Sequence, residues 1–513
     1  MRISPVLPAL LLALVAVSPL TAQRPTAFPQ RPSVQSTDRE APIPPERSSV
    51  TEHTIRLDGQ VIPYRATAAT MLLENAQGDT IGSLYYTAYT RTDVKDLSQR
   101  PLAFIYNGGP GAASAWLHMG AFGPRRIAVD DPNATAPAPY RMVDNTGCLI
   151  DVTDMVFVDP IGTGFSTVVG KGSGSDFWGV DEDARSLAQF VTKYVSRNGR
   201  WNSPKYLIGE SYGTTRSAVL GNRLQQREGM DLNGIVLISA VLDFETLLFA
   251  EGHDLSYVLY LPSYAATAAY HGLIPKPTNL PTFLNEVRQW AMGPYAAALA
   301  KGSALPEAER ATVRHQLAAY TGLSEDYLEK ANLRVNAGQF RAELQRATGA
   351  VTARLDARYE GLVGDLLSES AEYDPQSTAI SSAYTAAINS YLRDDLKWGG
   401  DQRYSLGGGV NWSWNREGSR GWVGATYVGS DLAQALITNP HLRVQVENGY
   451  YDLATPFFAI EYTMDHLQVP AQAHERITQK YYEAGHMMYV REASLAQLKA
   501  NVASFIDSTS TSR

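Results

Sequence analysis

Tyr206-Leu207-Ile208-Gly209-Glu210-Ser211-Tyr212-Gly213-Thr214 decides the fold of this chain. A short apolar run enters a Gly-x-Ser-x-Gly turn, and a helical pattern, Thr214–Gln226, leaves it. A sharp strand-to-helix turn pushes the serine into a strained backbone region, and flanking glycines spare the neighbouring elements a Cβ clash. The serine then stands at the edge of a sheet, beside a helix N-terminus whose N–H groups favour a developing oxyanion.

The surrounding sequence supplies such a sheet. Thr51–Leu57, Ile81–Tyr89 and Leu102–Tyr106 read as strands, being alternating or rich in β-branched and aromatic residues. Met155–Val158, Tyr206–Ile208, Ile235–Ile238 and Leu442–Val446 are short apolar runs suited to burial on both faces. Asp181–Val195 carries Leu187, Phe190, Val191 and Tyr194 on one helical stripe. This alternation predicts an α/β fold, a mainly parallel sheet flanked by helices. We divide it into a first core part at 49–246, a mostly helical cap insertion at 247–424 and a second core part at 425–513. The insertion contains helical patterns at Pro281–Ala300, Pro306–Tyr320, Ser324–Ala331 and Phe340–Thr348, then a Gly-rich, Trp-bearing stretch from Trp398 to Trp422.

A serine at this turn needs a base, and the base an orienting acid, in the order Ser, Asp/Glu, His. His486 follows a β-like run, Arg476–Tyr482, and the small pair Ala484-Gly485. Asp452 follows the strand at Leu442 and precedes His486 by 34 residues. Asn107-Gly108-Gly109-Pro110-Gly111, directly after the strand at Leu102, is placed to give a second oxyanion N–H. Spacing alone also suits a phosphate cradle, but the lack of a following Lys-Ser/Thr pair and the proline, which removes a donor, argue against a nucleotide loop. His441, His466 and His474 suit structural positions.

These motifs, with Phe157-Val158-Asp159-Pro160-Ile161-Gly162-Thr163-Gly164-Phe165-Ser166 and Ala484-Gly485-His486-Met487, resemble the serine carboxypeptidase family of α/β-hydrolases. The resemblance runs from about residue 80 to 500. It implies Ser211 as nucleophile, His486 as general base and then acid, and Asp452 as its orienter. It also implies an oxyanion hole from the N–H groups of Gly109 and Tyr212. Asn107, Gly108 and Glu210 would recognise the free C-terminal carboxylate of a peptide substrate, and Met487 would touch the leaving residue. Glu210 would then need a proton to donate to that carboxylate. Three departures stand out: Tyr106 where the family commonly has Trp, Ala121 where it has a second acid before Gly-Pro, and no disulfides. The same triad also suits ester hydrolysis or acyl transfer, and a binding relative with a vestigial site is the non-enzymatic reading.

Composition narrows the partners. The 513 residues carry a net charge of −8 with no block of Lys/Arg, which disfavours nucleic acid and anionic membranes. No His-Glu-x-x-His or Cys-rich cluster is present, so neither metal nor cofactor is expected. The lone Cys148 rules out an intramolecular disulfide and reads as a small buried hydrophobe. Met1-Arg2, the apolar run Val6–Val17 and Ser18–Ala22 predict a signal peptide over residues 1–22. A Pro-rich flexible leader is expected at 23–48. The mature protein is expected to be exported, periplasmic or secreted, with no membrane anchor.

Overall fold

The computed structural model describes residues 40–417 and 425–510. The predicted signal peptide, most of the leader and the Trp422 end of the insertion lie outside the described residues.

A ten-stranded sheet is the frame. Its strands are β1 (Ser48–Leu57), β2 (Gln60–Glu74), β3 (Thr80–Arg91), β4 (Leu102–Tyr106), β5 (Asp154–Val158), β6 (Lys205–Glu210), β7 (Gly234–Ile238), β8 (Arg443–Gly449) and β9 (Ile477–Tyr482). They lie in the order β1-β2-β3-β5-β4-β6-β7-β8-β9, with the short strand Thr167–Val168 paired to β3. From β5 to β9 all neighbours are parallel, whereas β1, β2 and β3 pair antiparallel up to β5. The sheet is thus mixed and mostly parallel.

Every residue of β4, β5, β6 and β7 is buried, because period-two alternation sends successive side chains into two different cores. Leu102, Phe104, Val156, Leu207, Ile235 and Leu237 meet α1 (Val180–Arg197) and α2 (Tyr212–Arg227) on one face. Ala103, Ile105, Phe157, Ile208, Val236 and Ile238 meet the C-terminal helix Glu492–Ser510 on the other. Cys148 sits in that second core, where burial pushes its thiol up to about 12.

The insertion divides between cores. Helices from Leu255–Tyr270 to Ala337–Glu343 share an apolar cluster with Tyr450, Tyr451, Leu453 and Phe457. The stretch from Ala353 through Tyr404 packs instead on the sheet. The end of the expected leader makes contacts with the core: Gly170 N donates to Ala41 O at 2.8 Å, and Glu46 pairs with Arg197 at 2.7 Å.

At the start of β5, Asp154 accepts from Arg100 Nε at 2.9 Å and Arg200 Nη1 at 2.6 Å, all three side chains being buried. Removing the shared carboxylate charge leaves two guanidiniums without their counter-ion. Asp154→Asn is therefore expected to lower unfolding free energy by about 3–5 kcal/mol, read from the denaturant midpoint.

Candidate active site

Between β6 and α2, Ser211 takes φ 60°, ψ −129°, the left-handed strained backbone expected of this turn. Its N–H donates to Ile238 O at 2.9 Å, which ties the turn to the end of β7. As the first residue of α2, Tyr212 has an N–H without an intrahelical acceptor. Gly108 is pressed against it: an added Cβ would stand 2.3 Å from Tyr212 N. Gly109 follows at φ +101°.

Asp452 and His486 come together after β8 and β9. His486 Nδ1 lies 2.7 Å from Asp452 Oδ2, and the two residues are 4% and 0% exposed. The carboxylate is well held: Oδ1 accepts from Ala454 N at 2.7 Å and Thr455 N at 2.9 Å, and Oδ2 from Thr455 Oγ1 at 2.8 Å. Burial acts most strongly on the imidazole, pushing it down, but the charge and hydrogen bond of Asp452 overcome this and hold it above its ordinary value. Ser239, next to the Ile238 that holds Ser211, donates to His486 O at 2.6 Å. These bonds link the turns that follow β6, β7, β8 and β9 at the C-terminal edge of the sheet.

Ahead of Ser211, Glu210 is 4% exposed, and burial pushes its carboxyl up to about 7 against the pull of the His486 charge. Asn107 uses Oδ1 to accept from Leu117 N at 3.0 Å, which fixes the amide. Asn107 Nδ2 and Glu210 Oε2 are both buried without a hydrogen-bond partner. Met487, next to His486, is buried and shares an apolar cluster with Met488 and Tyr489.

Sequence reasoning missed the residues that hold these groups. Thr455 and Ser239 brace the Asp452–His486 pair. A segment of the insertion grips both loops: His486 N donates to Leu355 O at 2.6 Å, Leu453 N to Arg354 O at 3.0 Å, and Gly485 N to Asp356 Oδ2 at 2.9 Å. Arg358 in turn clasps Asp356 and Asp131. Asp452 followed by Ala454-Thr455-Pro456 carried a readable turn signal, the carboxylate accepting from the N–H groups two and three residues on; the insertion segment carried none.

The approach at Gly485 allows a test. A Cβ there would stand 2.4 Å from Asp356 Cα and 2.5 Å from Leu355 O, so the backbone itself has to shift. Gly485→Ala should displace His486 and slow labelling of Ser211 by an active-serine phosphonate on the order of 100-fold.

Among the described residues, no group of His, Cys, Asp and Glu is arranged to hold a metal ion. Residues 74–276 match the serine carboxypeptidase family model. A 150-residue stretch is 29% identical to the pheromone-processing carboxypeptidase KEX1 of Yarrowia lipolytica, covering 29% of this chain and 23% of that one. The fold aligns with the prohormone-processing carboxypeptidase KEX1(delta)p of Saccharomyces cerevisiae at a TM-score of 0.51 and 16% identity, over 86% of this chain and 91% of the other. The chain has an α/β-hydrolase type of fold, and its residues 74–276 are similar to the serine carboxypeptidases.

Proposed function

We propose that this protein is an exported serine carboxypeptidase that removes C-terminal residues from peptides through an acyl-enzyme on Ser211. The observation that carries the reading is the buried pair Asn107 Nδ2 and Glu210 Oε2, neighbours without a well-formed hydrogen bond, beside the strained Ser211 turn. A buried polar atom without a partner costs about 1–3 kcal/mol. A peptide carboxylate offers acceptors to both groups once Glu210 is protonated, and burial raises its pKa in that direction.

The geometry supports the following roles. His486, held through Nδ1 by Asp452, takes the Ser211 proton as Oγ attacks the last peptide carbonyl. The N–H groups of Gly109 and Tyr212 receive the oxyanion. The C–N bond then breaks, His486 protonates the departing amino acid, and water hydrolyses the ester by the same route. Asn107, Gly108 and Glu210 hold the terminal carboxylate, and Met487 borders the leaving residue. Export rests on residues 1–22, and no described helix is long and apolar enough to cross a membrane.

A blocked peptide with a free C-terminus should be cleaved far faster than its C-terminal amide; equal rates would leave a hydrolase but not a carboxypeptidase. Ser211→Ala should reduce turnover on the order of 10⁴-fold or more. The pH profile has a defined sign. Glu210 donates only when protonated, so kcat/KM for the free acid should fall as pH rises through about 7. The amide, which makes no such demand, should lack that fall. Both substrates should lose rate at low pH, where His486 is protonated.

A further inference from the structure

Two residues after Met487, Tyr489 is buried, and its hydroxyl is a third polar atom without a hydrogen-bond partner. It faces both Glu210 and Asn107, whose side chains act on it, yet the approach gives none of Asn107 Nδ2, Glu210 Oε2 or Tyr489 OH an acceptable hydrogen bond. Asn107 Nδ2, Glu210 Oε2 and Tyr489 OH are thus buried close enough to influence one another, with no well-formed hydrogen bond among them. Such groups are costly to keep unless something accepts from them.

The ring reaches this place because of what is missing on the facing wall. A Cβ on Gly120 would stand 2.7 Å from Tyr489 Cε2 and 2.3 Å from Tyr384 OH. The next residue is Ala121, fully buried, so no second carboxyl stands at that position.

We propose that the Tyr489 hydroxyl is a specificity-determining donor that, with Asn107 Nδ2 and protonated Glu210, receives the C-terminal carboxylate of the substrate. This rests on the carboxypeptidase reading and adds a residue to it. A carboxylate has two oxygens with about four acceptor sites, enough for three O–H and N–H donors without a cation. Burial, the largest influence on Tyr489, together with the neighbouring Glu210 and Tyr384, keeps the phenol protonated, so it remains a donor wherever Glu210 is one.

The test is the ratio of kcat/KM for a blocked dipeptide acid to that for its amide, measured in the parent, in Tyr489→Phe and in Gly120→Ala. Tyr489→Phe should lower the ratio about tenfold, chiefly through KM for the acid, as expected for loss of one charge-assisted hydrogen bond. Gly120→Ala keeps the phenol but displaces it, and should lower the same ratio. Phosphonate labelling of Ser211 identifies folded variants. A parent-like ratio in a folded Tyr489→Phe overturns the role of Tyr489, and with that variant unfolded a parent-like ratio in Gly120→Ala does so. A parent that shows no preference for the acid overturns the carboxypeptidase reading itself.

Discussion

Gly108 lies so close to the N-terminus of α2 that an added Cβ would stand 2.3 Å from Tyr212 N and 2.6 Å from Gly213 N. That contact brings the turn after β4 and the turn after β6 into one assembly. Arg216 locks it from the side of α1 and α2. Fully buried, it donates to Asn107 O at 2.6 Å and to Asp183 of α1 at 2.6 and 3.3 Å, and lies 5.2 Å from the Tyr106 ring and 5.3 Å from that of Tyr212. A buried guanidinium is tolerated only when it is paired and hydrogen-bonded, so its position is strongly determined. Through it, the Asn107 amide, the Gly108–Gly109 turn and the first amides of α2 are parts of one rigid body. The spacing of any donors aimed at a substrate is then set by core packing rather than by loop conformation.

The other half of the site is held differently. The Asp452 and His486 loops leave adjacent strands, β8 and β9, but the main-chain bonds that steady them come from the insertion, at Arg354, Leu355 and Asp356. This segment lies where the insertion turns from its own helical cluster to the core below the sheet. Residues 354–356 thus support the Asp452 and His486 loops from a distant part of the chain. A change in the insertion's helices has a mechanical route to His486 without touching any group that meets substrate.

Much of this was legible from residues in order. The strands β4 to β7 announced themselves because burial on both faces demands short apolar runs. The Ser211 turn, the Asn107 turn, Asp452 and His486 were legible because each needs particular residue types in a local backbone setting. The helix Leu255–Tyr270 was not, since thirteen of its residues are buried and Pro262 lies inside it; an all-round apolar surface leaves no period, and proline argues against a helix. The C-terminal helix had a readable stripe, Leu495, Leu498, Val502 and Ile506. Asp356, Ser239 and Tyr489 act through contacts made far along the chain, which no local spacing records. The substitution at Ala121 was visible, but the phenol on that side of the site comes from residue 489.

Glu210 and His486 influence each other directly: the imidazolium pulls the carboxyl down, and the carboxylate pulls the imidazole up. Near neutral pH the two can hold one proton between them in two arrangements of equal net charge. In one, ionised Glu210 faces protonated His486, and neither group is useful: the carboxyl repels a carboxylate and the imidazole cannot accept a proton. In the other, Glu210 is neutral and donates while His486 is neutral and basic. On the roles proposed above, a bound C-terminal carboxylate touches Glu210 and lies farther from His486. Its charge therefore disfavours the first arrangement and selects the second. Recognition of the chain end and readiness of the base become one electrostatic event, which a neutral C-terminal amide does not trigger.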